Sequence, residues 1–317
     1  MTAYREVPIP ASAGGMRLDR FLALRFPDRS RSFFSRCIAA GEVCDANDRP
    51  LAGSARVQPG HPLRVRIAGI APSGDPPPLP PVLWTDGRLV ALDKPAGMLC
   101  HPAGTRFAWA AVSLAKRAWP DEDVHLVHRL DRDTSGVLLL TRHADTNRFL
   151  KAAIKRGALH KEYLAIVKGE VPWESQSLTG PIGSDDGVIR IRMAVTPDGL
   201  PAHTDVSVVA RQPGLTLVRC VLHTGRTHQI RVHLHHAGFP LLGDRMYGVD
   251  PDVFLDTLEH GVTPFTRTSS GAPRQALHAQ QTRVPLPDGS TVTIDAPLPP
   301  DLQRWWADPG VLPHDGA

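Results

Sequence analysis

The densest polar cluster in an otherwise apolar stretch is His128-Arg129-Leu130-Asp131-Arg132-Asp133-Thr134-Ser135-Gly136. Leu126-Val127 precedes it and Val137–Leu140 follows it. A charged loop between two apolar strands is where a rigid scaffold presents reactive side chains. The plain alternative is a salt-bridged turn. Three chemistries could use these residues. A kinase catalytic loop needs His, Arg and Asp contiguous. It also needs a Gly-rich loop, a Val-Ala-Ile-Lys strand and Asp-Phe-Gly, all absent here. Asp131 and Asp133 could hold Mg²⁺, but Arg129 and Arg132 beside them oppose a cation. A carboxylate working at a sugar carbon fits best. Breaking a bond at an anomeric carbon builds positive charge there, which an ionised carboxylate stabilises or attacks. Nearby guanidinium groups keep that carboxylate ionised.

A second constellation is the run from His223 to His233, HTGRTHQIRVH. His228 and His233 are five apart and fall on different helix faces, and no HExxH is present, so no metal site is expected. Arg231 shares a helix face with His228 and His235. That face either closes over an anionic site or is simply solvated. The third candidate is Tyr163 in Lys161-Glu162-Tyr163-Leu164-Ala165, a strand position. It is either a cross-strand core aromatic or a stacking platform for a base.

The elements that must carry these residues follow from periodicity. Leu18, Phe21 and Leu22 predict a short helix, and Phe33, Phe34, Cys37 and Ile38 predict a second over 31–40, stopped by Gly41. The tail through 63–67 alternates like a half-buried strand. Strands are expected at 88–93, 136–142, 160–168, 188–195, 203–210 and 215–223, and helices at 144–156 and 227–237. Residues 262–274 and the last dozen read as loop or tail. Strands in succession without regular βα alternation predict an α+β fold. Its sheet is mixed and mostly antiparallel, with flanking helices. The expected division is a small helix-and-strand domain at 1–70, a Pro-rich linker at 71–82, a main domain at 83–305 and a tail at 306–317.

Composition narrows the class. The 317 residues are 42% hydrophobic and 21% charged, as in a globular protein of about two domains. No apolar run approaches the roughly 20 residues of a membrane span, and the first ten residues hold no leader-like stretch. The four cysteines lack CxxC spacing, so isolated buried thiols of a reducing compartment are expected. The net charge of +4 is uneven: residues 1–70 hold eleven Arg, no Lys and six acids, a net +5. Only 6 of the 36 basic residues are Lys. An Arg-rich genome explains the preference for Arg, whereas a basic module facing a polyanion explains where the excess lies.

Taken in order, the basic module, linker, DKPAGMLCHPAG (93–104), HRLDRDTSG (128–136), HKEYLAIVKG (160–169), HTGRTHQIRVHL (223–234), FPLLGDRMYG (239–248) and RQALHA (274–279) closely resemble RNA pseudouridine synthases of the RluA type, the ribosomal large-subunit branch. Residues 16–67 resemble the S-four-like RNA-binding module. The resemblance implies a bacterial, cytoplasmic, monomeric isomerase that needs no cofactor or metal. Its expected partner is ribosomal RNA, with transfer RNA as the alternative. It implies that Asp131 is the catalytic aspartate acting on C1′ of uridine, that Arg231 pairs with it and that Tyr163 stacks on the base. His128, Arg129 and Thr134 become substrate-binding positions. Arg17, Arg20, Arg29, Arg31 and Arg36 become RNA contacts of the N-terminal domain. The chemistry agrees. Hydrolysis normally uses two carboxylates, whereas an isomerase that keeps its leaving group needs no attacking water. Two readings from other classes compete. A non-catalytic RNA-binding assembly factor would tolerate Asp131→Ala, and a hydrolase would release free uracil.

Overall fold

The computed structural model describes residues 4–25, 31–52, 54–66, 76–102, 109–187, 189 and 191–311. The chain forms two compact units, Met1–Leu79 with Met98–Val124, and Pro80–Gly97 with His125–Ala317. In the first unit, strands β1 (Tyr4–Val7), β2 (Val43–Cys44) and β3 (Leu63–Arg66) form an antiparallel sheet in the order β1-β3-β2. Helices α1 (Leu18–Arg25) and α2 (Arg31–Ala39) complete it. The expected apolar stripes are the ones buried: Leu18, Phe21, Leu22, Phe33, Phe34, Cys37 and Ile38 pack with Val7, Leu63 and Val65. Gly41 ends α2 at φ 71°, the left-handed position that favours glycine. Residues 98–124, expected in the main domain, cluster here. The chain has left the main sheet after Lys94, and among the described residues of this segment helix α3 (Ala111–Ala118) is the element formed.

The second unit is built on a ten-stranded sheet. Its strands are β4 (Val82–Thr85), β5 (Leu89–Lys94), β6 (His125–Leu126), β7 (Ser135–Thr141), β8 (His160–Lys168), β9 (Ser175–Leu178), β12 (Thr204–Gln212), β13 (Leu215–Leu222), β14 (Leu277–Pro285) and β15 (Thr291–Asp295). Between β9 and β12 lies a separate ribbon of β10 (Ile182–Ser184) and β11 (Met193–Val195). The order is β4-β5-β7-β14-β8-β13-β12-β9, with β6 on β7 and β15 on β14. The β7–β14 pair is parallel and the other strand pairs are antiparallel. Helices α4 (Ala144–Lys155), α5 (Gln229–His236), α6 (Pro251–His260), α7 (Pro264–Ser270) and α8 (Pro300–Ala307) surround it.

All seven residues of β7 are buried. A strand covered on both faces reads as a continuous apolar run rather than an alternation, and Val137–Leu140 is that run. On one side Val137 and Leu139 pack with Leu89, Ala91, Leu150 and Ala153. Elsewhere in the unit Ile166, Leu215, Leu242, Leu302 and Trp305 form another cluster.

Several expectations needed correction. The expected loop at 262–274 contains α7. Thr263 caps it by accepting the Thr266 N–H, and Pro264 occupies its first turn. The tail expected from 306 begins inside α8, whose Trp305 is buried, because that helix covers the sheet; residues 312–317 lie outside the described ones. The strand expected at 188–195 is confined to Met193–Val195, with 188 and 190 outside the described residues. Of the linker, residues 71–75 lie outside as well, and Val82 already belongs to β4. The helix expected from 227 starts at Gln229, because His228 has φ 57°.

Gly136 opens β7 at φ 107°, where a Cβ would stand 2.2 Å from the Ala279 carbonyl oxygen. The parallel β7–β14 contact therefore requires glycine. Gly157 after α4 has φ 70° but open space around it. Gly157→Ala should cost about 1 kcal/mol. Gly136→Ala should cost about 3 kcal/mol or more, since backbone must move. Denaturant unfolding of the two variants measures the difference.

Candidate active site

The 127–134 loop joins β6 to β7, and its backbone is pinned from several directions. The Leu139 N–H donates to His128 Nε2 at 3.2 Å. Burial, then the nearby Lys161 charge, lowers the His128 pKa to about 3, so the ring stays a neutral acceptor. The Arg132 carbonyl accepts from the Gly97 N–H at 2.9 Å and from Lys94 Nζ at 3.0 Å. Lys94, at the end of β5, is fully buried and also donates to the Pro95 carbonyl. Asp133 accepts both Nε and Nη2 of Arg132 at 3.0 Å, and Arg245 Nη2 at 2.5 Å. Arg274 donates to the Asp133 carbonyl at 3.1 Å and is held from behind by Asp301. Gln275 Nε2 donates to Thr134 Oγ1 at 2.7 Å.

These contacts leave Asp131 partly open to solvent, with its side chain 29% exposed. Arg231 Nη1 donates to Asp131 Oδ2 at 2.9 Å. The other edge of the same guanidinium is taken by Asp244, through Nε at 2.7 Å and Nη2 at 2.9 Å. Asp244 is fully buried and also accepts the Met246 and Tyr247 N–H groups. Arg231 lies over the Tyr247 ring, 4.9 Å from its centroid. Burial alone would raise the Asp131 pKa. The Arg231 charge, His228, and hydrogen bonds from Arg231 and Gln275 outweigh it and hold the carboxyl below the usual range. Burial likewise opposes the Arg231 charge, but Asp244 and then Asp131 raise its pKa. An ionised carboxylate with one open face is thus fixed by a buried cation.

The expected residues take different places. Asp131 and Arg231 are brought together across 100 positions of sequence. Arg231 is buried, so α5 does not present a solvated face. Tyr163 is 5% exposed on β8. It stands opposite Ala279 of β14, which pairs in turn with Gly136 at the exit of the Asp131 loop. Arg129 is exposed beside Asp131. Thr134 is buried and occupied by Gln275, and His128 is occupied by Leu139, so both hold the loop. In the first unit, Arg17 and Arg31 are exposed but converge on Asp19 at 3.1 and 2.8 Å. The Arg17 hydrogen bond is the largest of the effects that lower the Asp19 pKa to about 2. Arg20 and Arg36 are exposed, and Arg29 lies outside the described residues.

Sequence reasoning missed Asp244, Gln275 and Tyr247. Asp244 was legible as a lone acid after the apolar Phe239–Leu242 segment. The glycine before it, at φ 75°, would put a Cβ 1.9 Å from the Arg274 carbonyl oxygen, so the turn approaches too closely for a side chain. Of the histidine run, His233 is engaged by Thr204 Oγ1 and the Gly180 carbonyl. The group among the described residues with metal-ligand spacing is His203, Asp205 and His223. Their Nε2 atoms sit 2.9 and 2.6 Å from the two Asp205 oxygens. No described helix is long and apolar enough to cross a membrane.

Two consequences are measurable. Asp244→Asn leaves Arg231 buried with half its counter-charge. Breaking such a pair costs about 3–5 kcal/mol, readable by denaturant unfolding. Stability should also fall with acid. Burial lowers His128 to about 3, and His228 and His278 to about 4, from 6.5. Between those values the unfolded chain binds protons that the folded protein does not, so stability rises with pH through the window and levels off above 6.5. An unfolding free energy flat from pH 6.5 to 4.5 would contradict this.

Comparison with known proteins closes the identification. Residues 88–236 match the family model described as RNA pseudouridylate synthase. An uncharacterized RNA pseudouridine synthase of Chloroflexus aurantiacus is 37% identical, over 94% of this chain and 92% of the relative. Ribosomal large subunit pseudouridine synthase D of Xanthomonas campestris is 35% identical, over 96% and 92%. Ribosomal large subunit pseudouridine synthase C of Escherichia coli K12 is 32% identical, over 95% of each. Among solved structures, human RNA pseudouridylate synthase domain containing 4 aligns with a TM-score of 0.54 at 25% identity, covering 70% of this chain and 90% of that one. With a partly exposed carboxylate held ionised by a buried arginine and relatives this similar along almost the whole chain, the protein belongs to the RNA pseudouridine synthases, isomerases that convert uridine in RNA to pseudouridine.

Proposed function

We propose that the chain isomerises uridine in large-subunit ribosomal RNA, with Asp131 as the carboxylate that acts at C1′. The observation that carries this is the Arg231 clamp: it keeps Asp131 ionised at neutral pH while one carboxylate face stays open. The target uridine leaves its stack to reach Asp131. The C1′–N1 bond breaks as Asp131 stabilises or attacks C1′, and the uracil is retained. It turns, and a C1′–C5 bond forms as C1′ is released from Asp131, which returns as the free carboxylate. The C5 proton is lost and N1 gains one, so atoms balance without an attacking water. Tyr163, at the level of the loop exit, is the wall on which the base rests. Arg129, exposed beside Asp131, meets a phosphate. His128 and Thr134 act by holding the loop.

The ribosomal target rests on the names of the relatives, which include large-subunit synthases C and D, and on the basic N-terminal residues. In this reading residues 1–70 form an RNA-binding domain, 71–82 a linker and 83–305 the catalytic domain. Arg20 and Arg36 are exposed cations of the first of these, where Arg17 and Arg31, also exposed, share Asp19. In this reading the enzyme works in the cytoplasm, where its ribosomal RNA is, and as a monomer, with Asp131, Arg231, Asp244 and Gln275 completing the site without a second copy.

A pseudouridine map of ribosomal and transfer RNA tests this. A deletion strain is compared with the same strain complemented by wild type or Asp131→Ala. The expected result is one or more large-subunit positions lost on deletion, restored by wild type and not by Asp131→Ala. Loss confined to transfer RNA would reassign the substrate. Full restoration by Asp131→Ala would point to a non-catalytic assembly factor.

A further inference from the structure

Outside glycine, the described residues hold two with positive φ, Asp48 and His228. His228 precedes α5 at φ 57° and ψ 18°, yet its side chain caps no helix N–H. A non-glycine residue kept in the left-handed region at a functional site invites a functional explanation. Its ring supplies one. The Met193 N–H donates to the Tyr247 hydroxyl oxygen at 3.0 Å, and that hydroxyl lies 2.9 Å from His228 Nδ1. Of the two described contacts of this hydroxyl, Met193 N–H can only donate and Nδ1 is the one that can accept, so the Tyr247 O–H is assigned as the donor to Nδ1. The His228 proton is therefore on Nε2, which lies 4.0 Å from Asp131 Oδ2. Burial and then the Arg231 charge lower the His228 pKa to about 4, so at neutral pH the ring is an uncharged donor.

A donor and an acceptor 4.0 Å apart are too distant to satisfy each other. They match a group that accepts from one and donates to the other, which is what a hydroxyl does. A hydroxyl oxygen about 2.8 Å from each would subtend an angle of roughly 90° between them. Oδ2 also accepts from Arg231, but a carboxylate oxygen has a second lone-pair direction free for this. On the target nucleotide, the hydroxyl adjacent to C1′ is the 2′-OH. One Asp131 oxygen can then meet O2′ while the other faces C1′.

We propose that His228 and Asp131 form a subsite for the 2′-hydroxyl of the target nucleotide, and that His228 thereby discriminates RNA from DNA at the reacting position. This rests on Asp131 acting at C1′, as proposed above. The 2′-OH is the group by which proteins tell RNA from DNA at a given site. Tyr247 is a positioning residue, acting through the tautomer it imposes on His228.

The test uses the full-length protein and a ribosomal RNA hairpin spanning a mapped target uridine, made with uridine or 2′-deoxyuridine at that position. The quantity read is the ratio of kcat/KM for the two. Wild type should prefer the ribo target by on the order of 100-fold. His228→Gly suits the left-handed backbone, so the fold is retained while the ring is lost. It should lower activity on the ribo target and cut the preference at least tenfold. Tyr247→Phe keeps the buried ring and frees the tautomer, and should shift the ratio the same way by a smaller factor. A preference unchanged within about twofold in both variants overturns the inference and leaves the functional reading standing. Wild-type protein that converts neither hairpin overturns both.

Discussion

The site depends on a single buried guanidinium. Arg231 lies between Asp244, which is sealed from solvent, and Asp131, which is not. Removing one charge from water is expensive unless its partners are close and its donors are used. The fork shape of arginine meets that demand along one edge with Asp244, leaving Nη1 for Asp131. Asp244 in turn is fastened by the Met246 and Tyr247 backbone. The Asp131 carboxylate is therefore held against α5 and the 243–247 turn as well as by its own loop.

That loop has little freedom for the same reason. Lys94, Arg245 and Arg274 are buried cations, and each donates to a carbonyl or carboxylate in or beside residues 131–134. Charges without a partner would be costly here, so a shift of the loop would break several bonds at once. The backbone beneath is equally tight, because β7 touches β14 in parallel at Gly136. The rigidity suits a reaction in which the base must move while the carboxylate stays. The N-terminal unit has a looser electrostatic design, with exposed arginines and one buried acid that two of them share.

Much of this was legible in residue order. The apolar Val137–Leu140 run marked a strand covered on both faces, and the strand at 160–168 and helix at 144–156 follow their periodicity closely. Helix α7 was hidden because Thr, Ser, Gly and Pro dominate its neighbourhood. The Thr263-Pro264 start signal was nonetheless there. The start of α5 slipped by two residues because its cap is made by backbone at His228, with no capping side chain to announce it.

Residue types and spacing alone determined the α+β class, the 128–136 loop as the densest polar cluster between apolar strands, and a basic bias in the first 70 residues. Hydrophobic period and local charge density are properties of neighbouring residues, so they survive in a linear reading. The tertiary structure decided which cation meets Asp131, that Asp244 anchors it, and that Thr134 and His128 hold the loop from within. It also set the Tyr247 hydroxyl 2.9 Å from His228 Nδ1, across 19 residues of sequence. These are pairings between distant segments, and only the closed sheet brings their donors and acceptors within hydrogen-bond reach.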